Sequence, residues 1–252
     1  MHSLITDNDS TLMQEEILDE IARFSGKECM QKIEEITNSQ MNGVFNDTIK
    51  KLTFKESLET RVNILVNFCI KNNIYITKDN LKIIAKNQMH FSEYAEELIH
   101  EIIKKHGSLQ SKFFIFSGGF KEIIFLKIEE LQISEYEKQI LKTQTYANCF
   151  SFSNEPIPTI TGLDIKNSEM LDETAKLDKT KFLIKNNLIE FNLEKNIKII
   201  GLGDGANDIE MIPKKYGFCV AYTEHVYREN TVKKANNITA NNFMEVKKYL
   251  EI

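Results

Sequence analysis

The chain has 252 residues, 42% of them apolar, and a formal net charge of −5. That length suits one large domain or a domain with an insertion. No apolar run approaches the ~18 residues of a membrane span, and the acidic balance, with lysines spread along the chain, argues against a nucleic-acid surface. The four cysteines, Cys29, Cys69, Cys149 and Cys219, stand far apart with no metal-type pairing. They read as reduced, mostly buried thiols. The first strand comes so early that it leaves no room for a signal peptide, so the expectation is a cytoplasmic protein.

In chain order, Leu4-Ile5 leads into Asp7-Asn8-Asp9-Ser10-Thr11, which reads as a strand ending in a loop with two carboxylates. Residues 14–25 have amphipathic helical spacing, with Ile17, Ile21 and Ala22 on one face and Gly26 as the stop. Helices are expected over 28–39, 54–72, 79–87 and 91–105, with Gly43, Asn46 and a Lys-rich turn between the first two of these. Phe113-Phe114-Ile115-Phe116 is a buried strand feeding Ser117-Gly118-Gly119, followed by a helix over 120–131. Residues 146–152 are strand-like. The stretch 154–162, with Pro156 and Pro158, is a loop or small hairpin. A helix is expected over 179–187. Ile197-Lys198-Ile199-Ile200 is a strand ending in Gly201-Leu202-Gly203-Asp204-Gly205-Ala206-Asn207-Asp208. A strand at 218–221 and a helix over 241–250 close the chain. This alternation predicts an α/β fold: a Rossmann-like parallel sheet, residues 1–13 and 91–252, with an all-helical insertion, residues 14–90, after the first strand.

Asp7 and Asp9 point the same way along an extended chain, and adjacent carboxylates repel unless a cation or a shared proton lies between them. The pair therefore reads as a metal site, an acid/base pair or both, against the plainer alternative of a turn or helix cap. A calcium loop fails on spacing, because Thr11 and Leu12 stand where a further ligand and the turn glycine belong. Ser117-Gly118-Gly119, Lys181, Asp204 and Asp208 fall at other strand ends or on the helix between strands. Each alone is a turn, a solvated lysine or a cap. Together they supply what phosphoryl transfer needs. Asp7 can be the nucleophile and Asp9 the acid/base. Ser117 and the Gly118 backbone can clamp the anion, and Lys181 is a point charge. Asp204, Asp7 and the Asp9 carbonyl can form an oxygen site for Mg²⁺, with Asp208 supporting Lys181 or the metal.

These motifs, D-x-D-x-T at Asp7–Thr11, S-G-G at Ser117–Gly119, a lone Lys and G-D-G-x-N-D at Gly203–Asp208, resemble those of the haloacid-dehalogenase-type phosphatases. The likeness is strongest to the phosphoserine-hydrolysing branch, and it runs over nearly the whole chain. It implies a Mg²⁺-dependent phosphomonoester hydrolase with a phosphoaspartyl intermediate, a helical cap, and a small phosphorylated metabolite as partner. It places a substrate-binding acid on Glu16 and a carboxylate-binding arginine on Arg61, within Phe54–Val62. It also adds Phe54 and Asn207 to the substrate contacts and Thr11 to the site's support. An amine wants an acid and a carboxylate wants the guanidinium fork, while a solvated acid at Glu16 and a surface ion pair at Arg61 are the plain alternatives.

Among Lys176, Lys179 and Lys181, the segment Lys179-Thr180-Lys181-Phe182-Leu183 best resembles the family's helix start, so Lys181 is chosen. The chain departs from the family in having extra residues between Met41 and Phe54 and in having Asn8, where an apolar residue is usual. Two rival readings stand beside this one. In a dinucleotide-dependent oxidoreductase, Gly201, Gly203 and Ala206 would form the turn, but Asp204 would then face the pyrophosphate. The other rival is a non-catalytic binding protein on the same fold. Another small phosphomonoester, such as phosphohomoserine or a phosphoamino alcohol, is the alternative substrate.

Overall fold

Apolar runs that end in polar loops pair side by side. In the computed structural model, residues 2–45 and 49–252 are described, the side chains of Met41 and Asn42 excepted. Asn46 and the Met41 side chain thus lie outside the described residues. Strand β1 (Ser3–Thr6) is followed by α1 (Ile17–Ser25), α2 (Lys27–Asn42), α3 (Phe54–Lys71), α4 (Lys78–Gln88) and α5 (Ala95–His106). Then come β2 (Phe113–Phe120), α6 (Lys121–Glu130), α7 (Glu135–Thr143), β3 (Thr145–Asn148), β4 (Phe150–Phe152), β5 (Ile160–Leu163) and α8 (Ala175–Lys185). The chain closes with β6 (Ile199–Gly203), β7 (Gly217–Tyr222), α9 (Glu229–Lys234), β8 (Thr239–Ala240) and α10 (Phe243–Leu250).

Six strands form one sheet in the order β3-β2-β1-β6-β7-β8, every neighbouring pair parallel. Such a sheet is covered on both faces, so its strands read as unbroken apolar runs. Alternation sends Leu4, Phe113, Ile115, Ile200 and Leu202 into a layer with Ile99, Ile123 and Val246. It sends Ile5, Phe114, Phe116 and Ile199 into the opposite layer with Leu183 and Met211. From β1 the chain builds outward through β2 and β3, then returns to β6 and builds the other way. The strand order therefore reverses between β1 and β6, where an open α/β sheet leaves a crevice at its carboxyl edge.

The helices α1–α4 hang from one narrow neck. Met13 and Phe91 form an antiparallel bridge. Gln14 N–H donates to His90 C=O at 2.9 Å and Ser92 N–H to Leu12 C=O at 3.0 Å. Helix starts within this insertion carry their own signals. Thr53 and Glu56 form a reciprocal capping box at α3, and Thr77 and Asn80 do the same at α4. Helix α4 packs on both α1 and α6, joining the inserted helices to the sheet layer.

Three sequence expectations change. Residues 91–94 are not helical, because Phe91 and Ser92 bond to the neck and Glu93 bonds to Glu224 and Phe243, and α5 starts only after Tyr94, at φ 62°. The stretch 146–152 breaks at Cys149 into β3 and β4, and β4 pairs antiparallel with β5 as a separate hairpin. Helix α8 starts at Ala175, four residues before the expected 179, which matters at the site below. Among the described residues no helix is long and apolar enough to cross a membrane, and the four cysteines are unpaired.

Ile5 is wholly buried at the centre of the sheet, whereas Ile70 is 70% exposed. Ile5→Ala is expected to lose about 2–5 kcal/mol of unfolding free energy, and Ile70→Ala less than about 0.5 kcal/mol, read from guanidinium melts. Equal losses would contradict this placement of the core.

Candidate active site

The crevice between β1 and β6 is where the acidic groups gather. Asp7 directly follows β1, and its N–H donates to Leu202 C=O at 2.7 Å, anchoring it to β6. The chain then makes a wide turn over Asn8–Leu12, closed by Met13 N–H on Asn8 C=O at 2.8 Å, with Ser10 at φ 53°. Inside this turn the Asn8 amide donates to Asp9 Oδ1 at 2.6 Å, and Ile17 N–H reaches Asp9 Oδ2 at 3.4 Å. Asn8, unusual for an apolar-lined loop, thus holds the second carboxylate. A Cβ on Gly119 would come within 2.8 Å of that carboxylate, so only glycine leaves Asp9 its place.

Lys176, not Lys181, serves the carboxylates. Its Nζ lies 2.6 Å from Asp7 Oδ1 and 2.5 Å from Asp208 Oδ1. Asp208 Oδ2 in turn accepts from Gly205 N–H at 2.7 Å. Lys181 is 56% exposed and pairs with Asp178 at 3.0 Å. The reason is helical phase: positions 176 and 181 lie about 140° apart around a helix of 3.6 residues per turn. With α8 beginning at Ala175, its first turn aims Lys176 at the crevice and turns Lys181 to solvent. The signal was the helix start, which the sequence reading set too late.

Burial raises the Asp7 carboxyl to about 7, with repulsion from Asp208 adding to it and Lys176 opposing. Burial also works against the Lys176 ammonium, but Asp208 and Asp7 outweigh it and hold the lysine charged beyond its ordinary range. Asp9 is pushed well above the usual carboxylate range, first by burial, then by Glu16 and Asp7. Asp9 is thus shifted toward its protonated form beside Asp7, which suits a proton donor.

Asp7, Asp204 and Asp208 each offer an oxygen, all within 4.8 Å of one another, and could hold a metal ion. The donor set is all hard oxygen, the chemistry that suits Mg²⁺-type cations. Asp204 already faces a cation, the guanidinium of Arg228. The residues therefore fit a divalent ion. The Asp9 side chain is turned to Asn8 and Ile17 and stands outside this carboxylate group. Arg228 was not singled out for the site from the sequence, though it is one of only three arginines. Burial lowers its guanidinium, against Glu16 and Asp7.

A cleft of about 1010 Å³ opens over this floor, lined by Asp7, Asp9, Lys176 and Asp204 below and by Glu16, Phe54 and Arg61 from the inserted helices. Gly118 and Asn207 also line it. A Cβ at Gly118 would meet the Phe54 ring at 2.9 Å, so glycine lets α3 approach β2. Ser117 is fully buried beneath, its Oγ accepting from Gly119 N–H at 2.8 Å. Thr11 is fully buried, and its Oγ1 has no hydrogen-bond partner among the described residues. Glu16 accepts from Ser10 Oγ at 2.9 Å. Arg61 Nη1 donates to Thr37 Oγ1 at 3.3 Å, while its Nε is shut off from solvent without a partner among the described residues. Burial lowers the Arg61 guanidinium against Glu16, Asp19 and Asp9. Asp19 beside it is raised to about 6 by burial and Glu16, with Arg61 opposing.

No family model matches the chain. It is 32% identical to the phosphoserine phosphatase of Methanocaldococcus jannaschii over 222 residues, 87% of this chain and 84% of that one. It is 28% identical to the phosphoserine phosphatase of Lactococcus lactis, over 83% and 78% of the two chains. Among solved structures, a substrate-bound phosphoserine phosphatase complex superposes with a TM-score of 0.68 at 27% identity over 99% of each chain. A phospho-aspartyl intermediate analogue of phosphoserine phosphatase does so at 0.68 and 26%, over 99% of this chain and 100% of the other. A likeness this long, on a chain whose carboxylates converge where the sheet reverses, settles its kinship: the chain belongs to the phosphoserine phosphatase family of haloacid-dehalogenase-type hydrolases.

Proposed function

We propose that this phosphatase hydrolyses L-phosphoserine to L-serine and phosphate, with Mg²⁺ and through a phosphoaspartate on Asp7. The observation that carries the substrate assignment is the pairing across the cleft. Arg61, with an unpartnered buried Nε, and Glu16 face the carboxylate floor. A fork for a carboxylate and an acid for an amine, set opposite a phosphoryl-transfer site, match a phosphorylated amino acid. The likeness to a substrate-bound phosphoserine phosphatase supports the same reading. Residues 14–90 act as a cap over the site, and another small phosphomonoester such as phosphohomoserine or a phosphoamino alcohol is the alternative substrate.

In this reading Asp7 attacks phosphorus, forming one P–O bond as the ester P–O bond breaks. Asp9, kept protonated by burial and by its acidic neighbours, gives its proton to the departing serine oxygen. As a carboxylate it then takes a proton from the water that attacks the acyl phosphate, returning Asp7 and releasing phosphate. Lys176 holds Asp7 in place and offsets charge on the transferring group, the role first given to Lys181. Gly118 brings its backbone N–H to the phosphate, with Ser117 beneath, held by Gly119 N–H, and Asn207 at the rim. Asp7, Asp204 and the Asp9 carbonyl would hold Mg²⁺, with Asp208 and Thr11 in support. When bound, the ion supplies positive charge that keeps Asp7 ionised and draws charge from the phosphoryl oxygens.

Phosphoethanolamine lacks the carboxylate, and a buried charged hydrogen bond left unmade costs roughly 2–5 kcal/mol. Arg61→Ala is therefore expected to lower kcat/KM for phosphoserine by tens-fold or more and to leave phosphoethanolamine turnover nearly unchanged. Equal damage to both substrates would make Arg61 structural.

Lys176→Ala is expected to cut turnover by about 10²-fold or more, whereas Lys181→Ala, which loses only a surface pair, stays near wild type. A phosphate-release assay on both variants decides between them.

Asp7 has its folded-state value raised to about 7. Its contribution to stability is then present below its ordinary value near 3.8 and is lost as pH rises through about 7. A divalent ion that needs the ionised carboxylate reverses that loss. The rise in melting temperature on adding Mg²⁺ to chelator-treated protein is expected to grow from pH 5 to pH 8. Chelation is expected to abolish activity. A Mg²⁺ effect that is flat with pH, or full activity in chelator, would remove the ion from this site.

A further inference from the structure

A second buried polar cluster lies where the returning neck meets the loop after β7. Ser92 is 3% exposed, and its Oγ donates to Thr11 C=O and sits 2.8 Å from His225 Nε2. A serine hydroxyl has one hydrogen, and a carbonyl oxygen can only accept. The Ser92 hydrogen is thus committed to Thr11, and Ser92 Oγ must accept from His225. That puts a hydrogen on Nε2 of the imidazole. Glu224 stands on the other flank, with Oε1 3.4 Å from the same ring nitrogen. Its carboxylate is itself held by the Tyr222 hydroxyl and by Glu93 N–H at 3.3 Å.

One imidazole therefore joins three segments. Through Ser92 it holds Thr11, in the turn that follows Asp7 and carries Asp9. Ser92 itself belongs to the neck from which the inserted helices hang, its N–H bonded to Leu12 C=O. His225 lies in the loop that three residues later presents Arg228 to Asp204. A Ser–His–Glu set suggests a nucleophile, but the geometry denies it, since Glu224 approaches the nitrogen that already serves Ser92 and not the other one.

We propose that His225 is a positioning residue of the phosphatase reaction: its N–H, relayed by Ser92, keeps the nucleophile turn in register with the Arg228 loop and the neck. This rests on the phosphatase assignment and not on phosphoserine as substrate. The residue touches no reacting atom, so its loss acts on alignment, and small misplacements of reacting groups are costly in rate.

The test uses the full chain and whichever phosphomonoester the wild type turns over fastest. His225→Leu, which removes the donor, is expected to lower kcat at least ~10-fold while KM moves less than ~3-fold, because Glu16 and Arg61 are untouched. His225→Gln, whose amide N–H reaches the Nε2 position, is expected to restore most of the rate. Ser92→Ala combined with His225→Leu is expected to cost no more than Ser92→Ala alone, which already removes both bonds. Ring ¹⁵N spectra should show Nε2–H in the wild type. Amide exchange at Leu12–Met13 and Thr223–Val226 should quicken in His225→Leu and not in His225→Gln. Equal loss in the Leu and Gln variants, no loss in either, or a ring whose Nε2 carries no hydrogen overturns the proposal. A wild type that releases no phosphate from any monoester overturns the phosphatase assignment instead, and the ring and exchange measurements still decide the clasp.

Discussion

Three buried carboxylates, each with an oxygen within 4.8 Å of the others, would drive the crevice apart if nothing offset them. The bridge from Lys176 to Asp7 and Asp208 is what makes the arrangement tenable, and Arg228 does the same for Asp204. Much of the surrounding structure serves that balance. Helix α8 must begin early enough to deliver a lysine from its first turn. A Cβ at Gly203 would come within 2.4 Å of Asp208, so this strand end must be bare for the carboxylate to fold back. The electrostatic strain left over is visible in Asp7 and Asp9, both shifted toward the protonated form.

The sheet was legible because its strands are buried on both faces and therefore carry unbroken apolar runs, each ending in small or acidic residues. The Asp7–Thr11 turn and the Gly203–Asp208 loop were legible for the same local reason: chemistry and backbone requirements sit in adjacent residues. The lysine was not. In a chain rich in lysine its identity depends on helical phase, and phase depends on the first residue of α8. That start carries no side-chain cap: Thr174 has helical dihedrals, and its hydroxyl bonds to Asp178. By contrast, Thr53 and Thr77 cap their helices, and those starts were close to right. Residues 91–94 were misread because their partners, Leu12 to Gln14, Glu224 and Phe243, are distant in sequence. Arg228 and His225 lie in an irregular loop, where spacing carries no pattern at all.

The two sides of the cleft divide the electrostatic work. The sheet side concentrates acids and neutralises them with one lysine and one arginine. The inserted side carries Glu16, Asp19 and Arg61, where the guanidinium is partly desolvated and one of its N–H groups is unspent. A buried donor without a partner is a standing cost of order 1–3 kcal/mol. Arg61 Nε carries that cost on the inserted helices, and the buried Thr11 hydroxyl carries a similar one in the turn after β1.

The neck at Met13 and Phe91 has a consequence for chain entropy. The insertion leaves and re-enters the sheet at hydrogen-bonded neighbours. Closing a flexible loop whose ends are already tied costs free energy that grows only with the logarithm of its length. Residues can then be added far from the neck without loosening the sheet. The stretch between Met41 and Phe54 is bounded by the end of α2 and the capped start of α3, elements that belong to the insertion. The fold thus tolerates length variation within the insertion while the strands beneath keep their register.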